Sequence, residues 1–337
     1  MIPRQLRILV TNWVHAETLE RLSAIGSVDA NPNRTAWSRA ELQRRAADAD
    51  AILAFMPDCV DRAFLEHCPR LSIVACALKG CDNFDIAACT ESGIWVTIVP
   101  DLLTEPTAEL ALGLAIGLGR MIHEGDAIVR SGSFDGWRPI LYGTGLDGAT
   151  VTVVGMGQVG CAIVKRLGGF GCRILGVDPH AEMPRGVIRS DLNPALQESD
   201  FIILAAPLTA ATRHLIGQDA IGRMRPGALL INVGRGSVVD ELAVAAALES
   251  GALGGYAADV FEMEDWALPD RPRSIDLRLR VHPRTLFTPH LGSAVERVRR
   301  AIELRAADNI ADALAGRRPR DAINNPSMSV AKLTSST

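Results

Sequence analysis

The sequence lacks the features that most readily indicate a nucleic-acid-binding, disulfide-stabilised or membrane protein. Its 35 Lys and Arg residues are balanced by 39 Asp and Glu residues, so the net charge of −4 offers no basic surface to a nucleic acid. Its seven cysteines are odd in number and form no C-x-x-C pair, which favours buried reduced thiols over a disulfide framework or a metal site.

The chain also lacks a long apolar run. Its most apolar stretch, residues 110–118, is too short to cross a bilayer. The apolar run near the N-terminus is too short for a signal peptide. We therefore expect a cytoplasmic protein with neither a membrane nor a nucleic acid as its partner.

What is present is an alternation of strand-like and helix-like segments. With 337 residues, of which 48% are apolar, the chain is expected to form two domains. Strands are predicted at 7–10, 51–55, 71–75 and 94–99, with helices at 15–25, 38–49, 61–68 and 85–92. The alternation resumes at residue 150, with strands predicted at 151–154, 173–177, 201–205, 228–233, 255–260 and 285–288. This pattern predicts an α/β fold with doubly wound parallel sheets, in which ligands bind beyond the carboxyl ends of the strands.

The region between these two halves is predicted to be one long helix followed by an extended connection. Thr104 is a candidate helix cap, and residues 107–129 are apolar nearly all round through residue 118, which indicates burial between domains. Residues 131–146 are rich in glycine and aromatic side chains. Their Trp137 and Tyr142 are expected to serve packing or a subunit contact.

Three segments near the C-terminus have simple predictions. Residues 270–284 carry charges of both signs and are expected to be a solvated loop. Residues 294–314 are predicted to form a long amphipathic helix. The tail beyond Pro326 is small and polar and is predicted to be disordered.

The most informative stretch is V-T-V-V-G-M-G-Q-V-G at residues 151–160. A buried strand leads into Gly155, Gly157 and Gly160, and a helix is predicted to open at Gln158. Such glycines permit a tight turn, close approach of the backbone to a pyrophosphate, and close packing of helix on strand. Because three glycines at this spacing also occur by chance, the context decides. A second G-x-G-x-x-G at 143–148 has no strand before it and no helix after it, so it is expected to be a surface turn.

An acidic residue stands where a ribose acceptor belongs. Asp178 ends the strand predicted at 173–177, about 20 residues beyond the glycines, at the place where an acid binds the ribose 2′-OH. A carboxylate there repels a 2′-phosphate, so NAD is the expected cofactor, while the neighbouring His180 leaves room for some tolerance of NADP.

Three charged residues follow strands of this nucleotide-binding half. They are Arg235 in N-V-G-R-G-S, Glu264 in D-V-F-E-M-E-D and His290 in F-T-P-H-L-G-S. A parallel sheet brings such strand ends to one edge, beside the bound cofactor. A cation holds an anionic substrate, and an imidazole moves a proton as hydride leaves; a carboxylate orients the imidazole and favours its charged form.

These elements, in this order, resemble the D-isomer-specific 2-hydroxyacid dehydrogenase family over nearly the whole chain. The resemblance implies that Arg235, Glu264 and His290 are catalytic. It also implies a Rossmann NAD-binding domain (101–291) inserted into a flavodoxin-like substrate domain (1–100 and 292–337). It further implies a homodimer whose contact includes the helix after Pro106 and the arm with Trp137.

Within that family, five segments resemble the phosphite-oxidising (phosphonate) dehydrogenases: residues 54–58, 77–85, 99–110, 142–147 and 259–267. That resemblance implies the oxidation of phosphite to phosphate with reduction of NAD. Lys79 would assist Arg235 in clamping the anion, because phosphite carries more negative charge than a monocarboxylate. Gly234 is a departure, since a bulkier side chain is expected there.

The resemblance also implies the remaining site residues. Those expected near the substrate are Met56, Lys79, Gly80, Leu103, Trp137, Tyr142, Arg235 and Ser293. Those expected near the cofactor are Thr107, Gly155, Gly157, Gln158, Val159, Gly160, Asp178, Ala206, Pro207, Val233, Gly234, Arg235, Asp259 and His290.

Two other functions stay open at this point. One is a D-2-hydroxyacid dehydrogenase, or glyoxylate/hydroxypyruvate reductase, that uses the same three residues. The other is a non-catalytic protein that senses NAD on the same fold. No metal is expected in any of the three.

Overall fold

The computed structural model describes residues 4–326, and the tail predicted to be disordered lies outside these residues. The chain divides into two compact units. The first contains the residues up to Leu103, the short segment Trp266–Pro269 and the residues from Val295 on. The second contains Thr104–Asp265 and Asp270–Ala294.

The first unit is a parallel sheet of five strands flanked by helices. Its elements are β1 (Arg7–Val10), α1 (Ala16–Ser23), β2 (Ser27–Ala30), α2 (Arg39–Ala46), β3 (Ala51–Ala54), α3 (Arg62–Leu65), β4 (Ile73–Cys76), α4 (Ile86–Glu91) and β5 (Trp95–Thr97). The strand order is β2-β1-β3-β4-β5, which is the flavodoxin-like order.

The second unit is a parallel sheet of seven strands. Its elements are α5 (Thr104–Gly119), α6 (Ile122–Arg130), β6 (Thr150–Val154), α7 (Gln158–Leu167), β7 (Arg173–Val177), β8 (Ile188–Arg189), α8 (Leu192–Glu198), β9 (Phe201–Leu204), α9 (Gln218–Ile221), β10 (Leu229–Asn232), α10 (Glu241–Glu249), β11 (Gly255–Ala258), α11 (Leu277–Val281) and β12 (Thr285–Phe287). Two short 3₁₀ helices, Gly236–Val238 and Glu262–Glu264, follow β10 and β11. Helix α12 (Glu296–Leu314) then belongs to the first unit.

The strand order of the second unit places a crevice at its centre. The order is β12-β11-β10-β9-β6-β7-β8, so the chain winds one way from β6 and the other way from β9. Ligands of doubly wound sheets bind at the carboxyl ends of the strands at such a reversal. The two parallel sheets confirm the predicted fold class.

Central strands are apolar on both faces because each sheet is covered on both sides. In β3 all four residues are buried; Ile52 and Ala54 contribute to one core, and Ala51 and Leu53 to the other. Such continuous apolar runs are the strands that the sequence predicts well, because a parallel sheet with helices on both faces requires them.

The single helix predicted at 107–129 is two helices. Met121, with a φ of 50°, separates α5 from α6 in the left-handed region. Just before it, the Gly119 carbonyl accepts the Thr144 N–H at 2.9 Å. Helix α5 contributes to the core of the second unit. Thr104 lies inside α5, so its prediction as a cap is wrong.

Several short elements were not predicted. They are β2, β8, α8 and α9, together with α11 inside the segment expected to be a loop. Strand β2 is partly exposed along its whole length, and β8 has only two residues, so neither has an apolar pattern. Helix α11 is stabilised by Asp276, which accepts the Arg278 N–H, and by the fully buried Leu279.

No helix among residues 4–326 combines the length and the apolar character needed to span a membrane.

Asp50 lies directly before β3 and binds the first residue of β1, and it provides a test of stability. Its buried carboxylate accepts the Arg7 backbone N–H at 2.8 Å and pairs with Arg4 at 2.6 Å and Arg70 at 2.7 Å. We expect Asp50→Ala to lower the free energy of unfolding by about 2–4 kcal/mol, because three donors lose their acceptor. The control Asp48→Ala removes an exposed ion pair with Arg7 and should cost about 0–1 kcal/mol. Equal losses in chemical denaturation would contradict this account.

Candidate active site

The glycine loop between β6 and α7 has the close backbone approaches that its motif predicts. Gly155 has a φ of +91°, and a Cβ there would lie 2.7 Å from the Ala206 nitrogen. A Cβ on Gly160 would lie 1.9 Å from the Gly155 carbonyl oxygen. A Cβ on Gly157 would meet nothing within 4 Å, so the loop is open where α7 begins. The first N–H groups of α7 therefore fit a pyrophosphate.

The other G-x-G-x-x-G is built differently. A Cβ on Gly143 would lie 2.0 Å from the Gly119 carbonyl oxygen, so this glycine packs against the end of α5. Cβ atoms on Gly145 and Gly148 would meet nothing within 4 Å. No strand enters this segment, and β6 follows it. The context used for the sequence prediction thus separates the two motifs.

Asp178 lies directly beyond β7, beside the glycine loop. One carboxylate oxygen accepts the Met156 N–H at 2.9 Å, and the other accepts the His180 and Ala181 N–H groups. Burial acts to raise the pKa of Asp178, but these three N–H groups outweigh it and hold the pKa below its ordinary value. The residue is half-buried and charged, as a ribose acceptor must be.

The structure brings Glu264 and His290 together. His290 Nδ1 and Glu264 Oε2 are 2.7 Å apart, and both side chains are about three-quarters buried. The other oxygen of Glu264 accepts the Phe261 N–H at 2.9 Å, which fixes the carboxylate in place. Glu264 and His290 follow β11 and β12, which are neighbours in the sheet. A histidine oriented by a carboxylate can exchange a proton through its other nitrogen.

Arg235 follows β10, the next strand of the same sheet edge. Its backbone carbonyl accepts a hydrogen bond from the buried Asn232 side chain at 2.9 Å, and its own Nη1 donates to the Gly234 carbonyl. Arg235 as a whole is half-buried. All three charged residues thus follow adjacent strands, β10, β11 and β12, at their carboxyl ends.

Asp259, which the sequence predicts only as a residue near the cofactor, also supports the loop that carries His290. Its carboxylate accepts the Leu291 N–H at 2.6 Å and the Gly292 N–H at 2.8 Å, and it also binds the Thr288 hydroxyl. Burial raises the pKa of Asp259 despite these bonds. They hold His290 at a φ of +56°, which is unfavourable for a residue with a side chain. The only sequence feature that could have indicated this role is the position of an acidic residue directly after a buried strand.

The candidate substrate residues of the first unit follow the neighbouring strands β3, β4 and β5. Met56 comes after β3, Lys79 and Gly80 come after β4, and Leu103 comes after β5. Lys79 is half-buried. Burial lowers its pKa, and the charge of Asp101 opposes this only in part.

Arg299 is a half-buried cation in the first unit that the sequence did not single out. It lies on α12, donates from Nη1 to the Ala77 carbonyl at 3.4 Å, and has its guanidinium 5.7 Å from the centre of the Phe55 ring. Burial lowers its pKa, against the charge of Glu303. Nothing in the sequence distinguishes it, because other arginines surround it on the same helix.

The remaining predicted residues are divided between the site and the surface. Trp137 and Tyr142 are 83% and 78% exposed, so the single chain does not bury them beside Glu264 and His290. Thr107 is buried, and its hydroxyl would lie 3.1 Å from a Cβ on Gly292. Of the other cofactor candidates, Ala206 and Val233 are buried, Val159 and Gly234 are half-buried, and Gln158 and Pro207 are exposed; Ser293 is also half-buried.

Gly234 is narrowly enclosed. A Cβ at this position would lie 2.6 Å from the Ala206 carbonyl oxygen. The bulkier residue expected here would therefore require the segment after β9 to move. The local backbone therefore leaves room for glycine at position 234 and not for a larger residue.

Comparison with known proteins places this arrangement in a family. The family model described as "D-isomer specific 2-hydroxyacid dehydrogenase, NAD binding domain" matches residues 112–292. The chain is 35% identical over 327 residues to a glyoxylate reductase from Thermococcus litoralis, covering 94% of this chain and 96% of that protein. The chain belongs to the D-isomer specific 2-hydroxyacid dehydrogenase family.

Solved structures agree with this family assignment. A protein from Thermus thermophilus matches with a TM-score of 0.87 and 33% identity, covering 95% of this chain and 100% of that one. A glyoxylate/hydroxypyruvate reductase from Sinorhizobium meliloti, solved with NADP and malonate, matches with a TM-score of 0.82 and 28% identity, covering 95% and 97%. The chain is an NAD(P)-dependent dehydrogenase of this family, and the predicted NAD cofactor is confirmed. The two enzymes are named for the reduction of glyoxylate or hydroxypyruvate, so the comparisons support the alternative prediction and do not support the finer prediction of phosphite oxidation.

The glycine loop provides a test of the cofactor site. We expect Gly160→Ala to weaken NADH binding at least tenfold, because its Cβ would displace the Gly155 carbonyl and distort the loop. The control Gly145→Ala lies in the second glycine motif, where a Cβ meets no neighbour, and should bind NADH as the wild type does. NADH fluorescence titration measures both. If both variants bound NADH equally, the cofactor would not lie at residues 155–160.

Proposed function

We propose that this dehydrogenase reduces a small 2-oxo acid of the glyoxylate or hydroxypyruvate kind with NADH, or oxidises the matching D-2-hydroxy acid with NAD. The observation that carries the proposal is the 2.7 Å contact between His290 and Glu264, at the sheet edge that also carries Arg235. The names of the relatives favour this substrate class over phosphite.

The chemistry follows from these side chains. When bound, the nicotinamide supplies hydride to the carbonyl carbon. Arg235 binds the substrate carboxylate through charge-assisted hydrogen bonds. Since Nδ1 of His290 is engaged by Glu264, its Nε2 donates the proton that the carbonyl oxygen acquires, and Glu264 stabilises the charged imidazole. One 2-oxo acid, one NADH and one proton thus give one 2-hydroxy acid and one NAD⁺.

Asp178 supports NAD as the preferred form of the cofactor. Its carboxylate is kept charged by three backbone N–H groups, and a charged acid repels the 2′-phosphate of NADP. The Sinorhizobium meliloti relative was solved with NADP, so this preference is a property of the individual chain and not of the family.

Phosphite oxidation is the second candidate, and Lys79 is the observation that favours it. The chain has 32 arginines but only three lysines, Lys79, Lys165 and Lys332, so a lysine at this position is unusual for this sequence. Lys79 is half-buried and follows β4, and the half-buried Arg299 contacts Ala77 just after the same strand. Two cations in the substrate unit suit an anion with more charge than a monocarboxylate.

In this second reaction His290 accepts a proton instead of donating one. Water attacks phosphorus, and His290 accepts the proton that water loses. The phosphorus-bound hydrogen leaves with its electron pair as hydride. Phosphite, water and NAD⁺ thus give phosphate, NADH and a proton. Arg235 and Lys79 would bind and orient the anion.

A homodimer is proposed from an exposed apolar surface. Helix α6 has no buried residue, and six apolar side chains on it and on residues 131–142 are at least half exposed. These side chains are Ile122, Val129, Phe134, Trp137, Ile140 and Tyr142. Such a patch of large apolar and aromatic residues suits contact with a second copy of the chain.

One assay distinguishes the substrates. Purified protein is incubated with NADH and glyoxylate or hydroxypyruvate, and separately with NAD and phosphite, while NADH absorbance is followed. We expect NADH to be consumed with the 2-oxo acids. His290→Ala should slow turnover at least about 100-fold while retaining NADH binding, because the proton donor is lost. NADH production from phosphite alone would replace the first candidate with the second. No turnover of either substrate, with NADH bound, would favour the NAD-sensing alternative.

Lys79 provides a test specific to phosphite. If phosphite is the substrate, Lys79→Ala should lower kcat/KM for phosphite by about 10- to 150-fold, because one charge-assisted hydrogen bond contributes about 1.5–3 kcal/mol. The control Lys165→Ala removes the exposed lysine of α7 and should leave kcat/KM unchanged. Wild-type kinetics in Lys79→Ala would exclude a role for this ammonium in substrate binding.

A further inference from the structure

Two loops of the second unit, one carrying Arg235 and the other carrying Glu264, are in direct backbone contact. A Cβ on Gly236 would lie 1.9 Å from the Phe261 carbonyl carbon and 2.2 Å from the Glu262 nitrogen. The backbones can approach this closely only because residue 236 is glycine. The position of the Arg235 loop is therefore set against the loop that holds Glu264.

Three buried carboxyl groups, which we call the acidic brace (Glu241, Glu262 and Asp265), join these loops. Glu241 accepts the Glu262 backbone N–H at 2.9 Å, and Glu262 accepts the Glu241 backbone N–H at 2.9 Å. Asp265 accepts the Ser237 N–H at 2.7 Å. The reciprocal bonds also satisfy a backbone N–H in the first turn of α10, which has no partner within the helix.

The three carboxyl groups of the acidic brace are buried, where a negative charge is energetically unfavourable. The three residues are 3%, 9% and 3% exposed. Burial raises the pKa of Glu241 to about 7; the Glu262 N–H lowers this pKa, and the charges of Glu262, Asp265 and Glu264 raise it. The other groups facing the brace are His214, whose Nε2 is 3.4 Å from Glu262, and the buried Tyr256. Since buried carboxylates do not favour folding by themselves, stability is a poor explanation for this cluster.

We propose that Glu241 and Glu262 are positioning residues, which hold the Arg235 loop and the Glu264 loop in one fixed arrangement so that the substrate cation and the Glu264–His290 pair keep their geometry. Glu262 begins the short 3₁₀ helix that ends at Glu264, and Glu241 begins α10 six residues after Arg235. This inference rests on the dehydrogenase activity of the proposed function, but not on which substrate is used.

The kinetic test compares two substitutions of one residue. Glu241→Ala removes the acceptor of the Glu262 N–H and should lower kcat/KM at least tenfold, with the Kd for NADH within twofold of wild type. Glu241→Gln keeps a side-chain carbonyl oxygen as acceptor and should restore kcat/KM to within threefold. The control Glu249→Ala removes an exposed acid at the other end of α10 and should have no effect. If Glu241→Ala does not fold, Glu241→Asp, which withdraws the acceptor by one methylene, takes its place with the same expectation.

A double-mutant cycle separates positioning from folding. If Glu241 acts through the Glu264 loop, then Glu241→Ala should cost much less in a Glu264→Gln background than in the wild type. If the brace only supports folding, Glu241→Ala should lower the thermal midpoint but leave the kcat/KM of the folded protein unchanged. The effects of Glu241→Ala and Glu264→Gln on kcat/KM should then be additive. An unchanged kcat/KM or additive effects would overturn the proposal.

A readout that needs no turnover keeps this test independent of the substrate. We expect the proton shared by His290 Nδ1 and Glu264 to give a downfield proton resonance, which can be assigned by its loss in His290→Ala. We expect this resonance to shift or broaden in Glu241→Ala, and to stay in place in Glu241→Gln and Glu249→Ala. An unmoved resonance in folded Glu241→Ala would refute the brace. Absence of turnover in the wild type with a moved resonance would refute only the proposed function.

Discussion

The contact between His290 and Glu264 depends on a single constraint, which is that three parallel strands end at the same edge of one sheet. Strands β10, β11 and β12 are neighbours, and residues 235, 264 and 290 follow them in turn. The strands are separated along the chain by helices, so only the sheet can bring these side chains near one another. Asp259 then holds His290 in an unfavourable backbone conformation with three hydrogen bonds from the loop. The reactive geometry is thus supported by the buried acids around it.

The geometry of the glycine loop after β6 is likewise held by the groups packed around it. Gly155 and Gly160 are required by backbone atoms that lie within 3 Å of any Cβ, and Asp178 is fixed by the N–H groups of the loop that it faces. These contacts explain why the dinucleotide motif is so informative within its strand–loop–helix context. They set the cofactor chemistry of the family. They do not identify the substrate, for which we propose Arg235 as the binding cation.

The sequence was a good guide wherever burial imposes a pattern. The apolar runs of β3, β4, β6, β9 and β10 were located to within one or two residues, because strands covered on both faces must be apolar throughout. It was a poor guide at edges and breaks. Strand β2 is held by backbone pairing with β1 and not by an apolar face. The break at Met121 accompanies a hydrogen bond between Gly119 and Thr144, which are 25 residues apart.

The sequence by itself determined the fold class, and it predicted the dinucleotide loop and the Arg235, Glu264 and His290 set. The loop follows from local spacing, and the three charged residues follow from short motifs that resemble those of a known family. Only the tertiary structure identified the acidic brace, the hydrogen bonds of Asp259 to the His290 loop and the contact of Arg299 with Ala77. The physical reason is that these interactions join backbone N–H and carbonyl groups to side chains far apart in sequence. Backbone groups are the same in every residue, so no pattern of side chains along the chain could reveal which of them would meet.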